Sequence, residues 1–447
     1  MKRFRRLLFG ILAILAAAPC VRGDDWPQWM GPKRDSVWRE TGILETFPEG
    51  GPKVLWRKEI AGGYAGPSVA AGRVYLTDFV TSVDTRKVSA PNTRPPVDGQ
   101  ERILCLDATS GEVLWKHEYP CKYAIAYPAG PRCTPTVHEG KVYALGAEGH
   151  LFCLDAKRGS VLWSKDFKRD FESKTAIWGF CGHPLVDGKK LICVVGGKDG
   201  VVYAFDKDDG STLWHALSAR EPGYSPPTLI EAGGARQLLI WHAESLNSLD
   251  PESGKLFWSV PLVPDFGMAI MAPRKLGDML FAGGIGGKSV LLKLAADRPE
   301  AGELWRGSMK TAASPVNATP FLEDGFMYAV DQPGTLLCAR LDTGERLWET
   351  LRPISNDEKP RRVNSGTAFL VKNGNRFFLA SETGDLIIAR LSPKGYDEIS
   401  RWKMIEPTGF AFGPDRPVVW SHPAFANKCV FARNDKELIC ASLAADE

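Results

Sequence analysis

The sequence predicts an all-β chain, an eight-bladed β-propeller of four-stranded antiparallel blades closed by an N-terminal strand. Three observations predict it. Tryptophans recur at Trp56, Trp115, Trp163, Trp214, Trp258, Trp305, Trp348 and Trp402, at intervals of 43 to 59 residues, a period that signals a repeated supersecondary unit. Within one interval, four short apolar segments alternate with turn signals, "TPTVHEG", "KVYALGA", "LFCLDA" and "SVLWSKDF" over residues 134–167, which read as the four strands of one blade. Both ends are incomplete: "PKVLWRKEI" (52–60) precedes any whole blade, and "SHPAFANKCVFARNDKELICASL" (421–443) holds three strands without a fourth. Joining them completes the eighth blade and removes the open sheet edges that invite aggregation.

Each element of the repeat has a physical reason. In "CLDATSGEVLWK" (105–116), "CLDAKRGSVLWS" (153–164), "AFDKDDGSTLWH" (204–215) and "SLDPESGKLFWS" (248–259), an Asp precedes a Gly by four places and a Trp by eight. The Asp ends a strand and accepts turn amides, the Gly takes the positive-φ position, and the Trp lands on the outer strand. An indole burying 150–250 Å² there contributes about 4–6 kcal/mol of gross transfer free energy against the next blade. These aspartates are therefore turn residues, not catalytic acids, and "DKDDG" (206–210) lacks the later Glu of a calcium loop. At "EAGELW" (300–305) and "LDTGERLW" (341–348) the turn reads as shortened, and "LSPKGYDEISRW" (391–402) abandons the motif.

Before the repeats, "MKRFRR", the apolar run "LLFGILAILAAA" (7–18) and small residues follow the order of an export signal. The run is too short to span a bilayer. Cleavage between Gly23 and Asp24 divides the chain into a signal peptide (1–23), a leader (24–50) and the propeller (51–447). Cys20 raises the alternative of a lipid anchor, against which Pro19 stands where such signals want a small residue. Loss of residues 1–23 turns the formal charge of +3 into −2, so nothing electrostatic calls for nucleic acid or an anionic membrane. A periplasmic or extracellular monomer is expected. Cys105, Cys153, Cys338 and Cys440 fall at equivalent strand positions and read as buried fillers, which leaves the loop residues Cys121, Cys133 and Cys181 for any disulfide.

A propeller has one obvious site, the funnel where its innermost strands begin. Aligning the blades on the proline that starts each inner strand, or its replacement, puts Tyr64, Arg132, Cys181, Tyr224, Ile270, Asn317, Asn364 and Trp420 three places earlier, with His183 and His422 one place before their prolines. Tyr64, Arg132, His183, Tyr224, Asn317, Asn364, Trp420 and His422 are the candidate ligand-binding residues. One cation among aromatics and amides suits a planar, anionic or hydroxylated ligand, with Arg132 pairing a carboxylate or else bridging to a neighbouring blade's loop. The seven histidines lack metal-ligand spacing, so no metal site is expected. "AGGIGGKS" (282–289) matches a relaxed phosphate loop, but a strand, not a helix, follows it. The polar, proline-bearing segment 80–100 reads as a mobile loop on the funnel face, a lid or docking arm or a tolerated insertion.

The repeated DxxxGxxxW over roughly residues 50–443 resembles the tryptophan-docking motif of the quinoprotein-like (PQQ-like) β-propeller repeat family, and "DDWPQWMGPKRDSV" (24–37) is similar to the leader of its exported members. That family includes PQQ-dependent dehydrogenases and an outer-membrane assembly lipoprotein that binds partners. Its dehydrogenases carry a vicinal disulfide and a calcium site with Glu, Asn and a base Asp, whereas this chain has no Cys-Cys pair and no acid at the aligned mouth positions. The expectation is thus an exported, non-catalytic propeller without cofactor, binding a partner protein or small ligand through its upper face. The alternative is a PQQ- and calcium-dependent alcohol or sugar oxidoreductase.

Overall fold

A computed structural model describes residues 24–355, 357, 359–412 and 415–445. The proposed signal peptide, its cleavage site and Cys20 lie outside the described residues. Eight four-stranded antiparallel sheets form the ring, named here blades 1 to 8 in chain order of their inner strands. Blade 1 runs from Ser68–Ala70 to Val113–Ala124, blade 2 from Thr136–His138 to Val161–Asp166 and blade 3 from Leu185–Asp187 to Thr212–Ala216. Blades 4 to 7 end on the outer strands Leu256–Pro261, Ala301–Arg306, Arg346–Thr350 and Gly395–Lys403. Blade 8 is closed as expected: Val54–Glu59 pairs antiparallel with Glu437–Ser442 from the other end of the chain, Trp56 opposite Cys440.

The outer-strand tryptophans touch the following blade at its turn. Trp56, Trp115 and Trp163 donate their indole N–H to the carbonyls of Ala108, Ala156 and Lys207 at 3.0, 3.1 and 3.1 Å. In each case the acceptor is the residue after the turn aspartate. The rings lie over Gly111, Gly159 and Gly210, where φ is +73 to +75° and a Cβ would meet the indole within 3 Å. Glycine is thus required twice, by backbone conformation and by the approach of the ring. Trp214 covers Gly254 in the same way, although its indole nitrogen is buried without a partner. The aspartates do what a turn needs, as when Asp107 accepts the amides of Thr109 and Ser110, both at 2.9 Å. Trp163 and Trp258 are buried, while the other six are half-buried, so the full transfer value applies to two rings only.

Two expectations about the decayed repeats need correction. Blade 6 keeps the spacing, with Arg340 in the aspartate's place, Gly344 in the glycine's and Trp348 after it. Blade 5 is longer, not shorter. Strand pairing runs on through Lys293–Gly302 and Leu294–Ala301, so Trp305 stands 12 positions beyond the aspartate-equivalent Lys293 instead of 8. With no glycine to cover there, Trp258 turns its N–H to Gln237 Oε1 within its own blade, at 2.9 Å. The cysteines expected as fillers are buried, and Cys121, Cys133 and Cys181 are free thiols, as are all the described cysteines. Residues 282–289 form a β-hairpin. The 80–100 segment is not a structureless loop: it contains the helix Thr85–Val88, capped by Asp84, and the start of a 12-residue strand from Pro96.

Replacement of Trp163 by Ala is expected to cost about 3–5 kcal/mol in urea unfolding, as for other buried Trp truncations. A loss below about 1 kcal/mol would show that the ring does not couple blades 2 and 3.

Candidate functional site

The leader crosses the lower side of the ring and stops its axial channel. Trp26 bridges to Val69 of blade 1 and Val37 to Lys372 of blade 7. Between them the chain turns tightly through Met30, Gly31, Arg34 and Ser36, all with positive φ, and raises Trp29 into the channel. The Trp29 ring stacks on His183 (centroids 4.8 Å apart, 11° between planes) and donates its N–H to His422 Nε2 at 3.2 Å. The Arg34 guanidinium lies 5.5 Å from the same ring and bonds the carbonyls of Pro184 and His183. These contacts make the floor of a cup.

Above the floor is a cavity of about 360 Å³ with mostly apolar walls. All eight candidate residues line it, and so do Cys181 and Ile270 of the same register. A common strand-entry proline gives each blade the same start, so residues at one offset converge on the axis. The rim adds residues outside that register: Tyr127, Trp178, Phe266 and Phe412 from loops, and Pro91 and Asn92 from the 80–100 segment. That segment straps the mouth, with Arg86 over the Phe410 ring at 5.9 Å at one end and Arg94 bonded to the Thr175 carbonyl at 3.0 Å at the other.

Three rim residues carry strain. Tyr127, Phe266 and Phe412 have φ of +53°, +58° and +56° and are the only aromatic residues with left-handed φ among the described residues. For a bulky side chain this conformation costs about 1–3 kcal/mol, and such outliers gather at functional sites. Phe266 and Phe412 are also 68% and 44% exposed. No single-residue φ can be read from sequence, and this is why the register missed them.

Arg132 takes neither expected course, because its partners are carbonyls of its own loop, two to six residues earlier in the chain, and not a carboxylate or a neighbouring blade's loop. Its guanidinium bonds the backbone carbonyls of Gly130, Ala126 and Tyr127, the last two at 2.7 Å, and packs 5.0 Å from the Tyr64 ring. It braces a loop and is not presented as a free fork. Trp420 is held by Glu382 at 3.1 Å and Asn317 by Thr367 at 2.9 Å. Glu382 is buried behind the wall, its pKa raised by burial against the pull of Arg416 and Trp420. The Tyr224 and Tyr127 hydroxyls are buried without a hydrogen-bond acceptor.

The residues do not fit PQQ with calcium. Among the described residues the cavity lining contains no carboxylate, and Arg132 is its one charged side chain, already bound to carbonyls. A tricarboxylate quinone and a hard divalent cation would find neither counter-charge nor oxygen ligands there.

The comparisons agree with this architecture. A family described as outer membrane protein assembly factor BamB matches residues 99–350 and 242–446. The BamB of Shewanella oneidensis is 27% identical over 232 residues, 48% of this chain and 56% of that protein. That of Yersinia pestis is 27% identical over 207 residues, covering 43% and 49%. The chain thus spans about half the length of the curated relatives it matches. Among solved structures, BamB from Moraxella catarrhalis superposes with a TM-score of 0.56 at 14% identity over 88% of this chain and 98% of that one. Quinohemoprotein alcohol dehydrogenase from Comamonas testosteroni gives 0.57 at 13% identity, covering 95% and 81%. At these identities the structural likenesses establish the fold alone.

The floor makes stability pH-dependent. Burial holds His422 down to about 3 and His183 well below its usual 6.5. Both rings stay neutral in the folded chain while the unfolded chain protonates near 6.5, so stability is complete above that pH and is lost as pH falls toward 3. Urea titrations at pH 7.5 and 5 are expected to differ by up to about 2 kcal/mol from His422 alone, and His422→Gln should remove that share of the difference.

Proposed function

The chain belongs to the family described as outer membrane protein assembly factor BamB, and on that footing we propose that it is an exported, non-catalytic β-propeller that binds a partner protein or small ligand through its upper funnel face. One observation carries the reading: a cup closed from below, whose open mouth holds aromatic side chains in strained conformations with Phe266 projecting into solvent. Folding alone gives no return for that exposure, whereas an apolar partner that covers the rim removes it. The mouth positions differ from blade to blade while the turn glycines and tryptophans repeat, as an asymmetric recognition site requires. The relatives are named as assembly factors of the outer membrane, and a binding role on its periplasmic side is the one proposed here. No helix among the described residues is long and apolar enough to cross a membrane. The cavity's lack of carboxylates supports binding over quinone-dependent oxidation.

The test places a photo-cross-linking residue at position 266, with Val161 on the exposed outer strand of blade 2 as control, in cells making the full chain. A discrete adduct from 266 and none from 161 is expected, and adducts from 161 alone would move the site to the outer edge. A parallel assay of the mature protein with PQQ, Ca²⁺ and an acceptor dye is expected to show no turnover. Oxidation of any alcohol or sugar would instead establish the oxidoreductase reading.

A further inference from the structure

Away from the funnel, the seam between blades 1 and 2 brings three unlike ligand atoms together. Glu101 lies on the strand Pro96–Asp107, Cys121 on Val113–Ala124, and His150 opens the strand His150–Asp155 of the next blade. Glu101 pairs with Tyr119 and Gly99 with Cys121, so the carboxylate and the thiol are diagonal neighbours on one face of blade 1. One ligand atom from each of the three residues lies within 4.8 Å of the others, with Cys121 Sγ 4.0 Å from His150 Nδ1. We propose that this seam is a site for a zinc-type divalent ion held by Glu101, Cys121 and His150.

Two further observations point to a cation. Glu101 is 1% exposed and bonds the Tyr119 and Tyr123 hydroxyls and the Ala147 amide, the last at 2.9 Å. Among the described residues no Lys, Arg or His lies within ion-pair distance of it. The nearby buried Glu148 already takes up Lys168 at 2.8 Å. A carboxylate sequestered without a counter-charge is costly, and a bound cation removes that cost. Behind the imidazole, Asp166 Oδ2 lies 3.9 Å from His150 Nε2, so one ring nitrogen faces the cluster and the other has a carboxylate about 1 Å beyond the hydrogen bond that orients a metal-bound histidine. Tyr119 packs on the ring with centroids 5.1 Å apart.

The donor set selects the ion. Sulfur, nitrogen and oxygen together suit Zn²⁺, which accepts three protein ligands and leaves a fourth position open, while Mg²⁺ and Ca²⁺ want oxygen alone. Zinc bonds of about 2.0–2.3 Å place tetrahedral ligand atoms roughly 3.3–3.8 Å apart, so the three side chains would draw in by up to about 1 Å. Coordination exchanges the thiol proton for the metal. The side chain of His150 is 24% exposed, which provides entry. With ligands from two blades, the ion would clamp the seam beside the strap over the funnel. Three residues 20 and 29 positions apart carry no recognisable metal spacing, so only the fold reveals them.

The probe is Co²⁺, added to the metal-stripped full mature chain. One equivalent is expected to bind, with a thiolate-to-cobalt charge-transfer band in the near ultraviolet that Zn²⁺ abolishes by displacement. Cys121→Ser should remove the band, Cys133→Ala should keep it, and Asp166→Asn should weaken binding by about 10–100-fold. If Cys121→Ser does not fold, His150→Ala gives the same reading. The wild-type chain can also be followed directly, since Zn²⁺ should protect one thiol from alkylation. Absence of the band in the wild type, or its persistence in Cys121→Ser and His150→Ala, overturns the proposal.

Discussion

A ring of eight sheets leaves a channel along its axis, and here one indole closes it. Trp29 reaches the axis from a leader that contributes no strand to a blade, and it ends between two histidines that start inner strands of blades 3 and 8. Its hydrogen bond to His422 spans 393 positions of sequence. A through-channel would offer a ligand two entrances and water a path past it. The stopped channel offers one entrance and a floor whose imidazoles burial keeps uncharged. The polarity of the cup follows from this, as does the sensitivity of the floor to acid.

The ring itself is maintained by a contact repeated around it, an indole laid over the next blade's turn glycine. Where the glycine is missing, as after Trp258, the ring is retained and its hydrogen bond is redirected inward to Gln237. Where the hairpin lengthens, as in blades 5 and 7, strand pairing extends instead. The sheets tolerate these departures because only the surface offered to the neighbouring blade has to be preserved. Upper loops are anchored separately, by buried acids such as Asp331, which accepts the Ser314 amide at 2.6 Å, and Glu382, which accepts that of Thr367 at 2.9 Å. These acids sit behind the mouth, and for that reason the lining can be apolar while the loops that form it are held by charge.

The parts of this architecture that were legible in the sequence are those set by local spacing. Asp, Gly and Trp at intervals of four mark turn and outer strand, and an entry proline puts Tyr64, Arg132, Tyr224 and Trp420 at one level around the axis. The lengths of irregular hairpins were not legible, because "EAGELW" looks like a compressed turn unless the pairing of Lys293 with Gly302 is known. Nor was the use of Arg132, since a guanidinium near aromatics looks the same in sequence whether its partner is a ligand or the carbonyl of Ala126. The floor and the blade 1–2 cluster were hidden for a common reason. Each joins residues far apart in the chain or on different blades, and only the closed ring brings them into contact.

Trp29 holds the floor of the funnel independently of the ring. Hydrogen–deuterium exchange of the chain from Asp24 onward, beside its Trp29→Ala variant, measures this. Faster exchange is expected only in residues 24–38 and the segments around His183 and His422, with the outer strands unchanged. Uniform loss of protection across all blades, or no change at those segments, would contradict it.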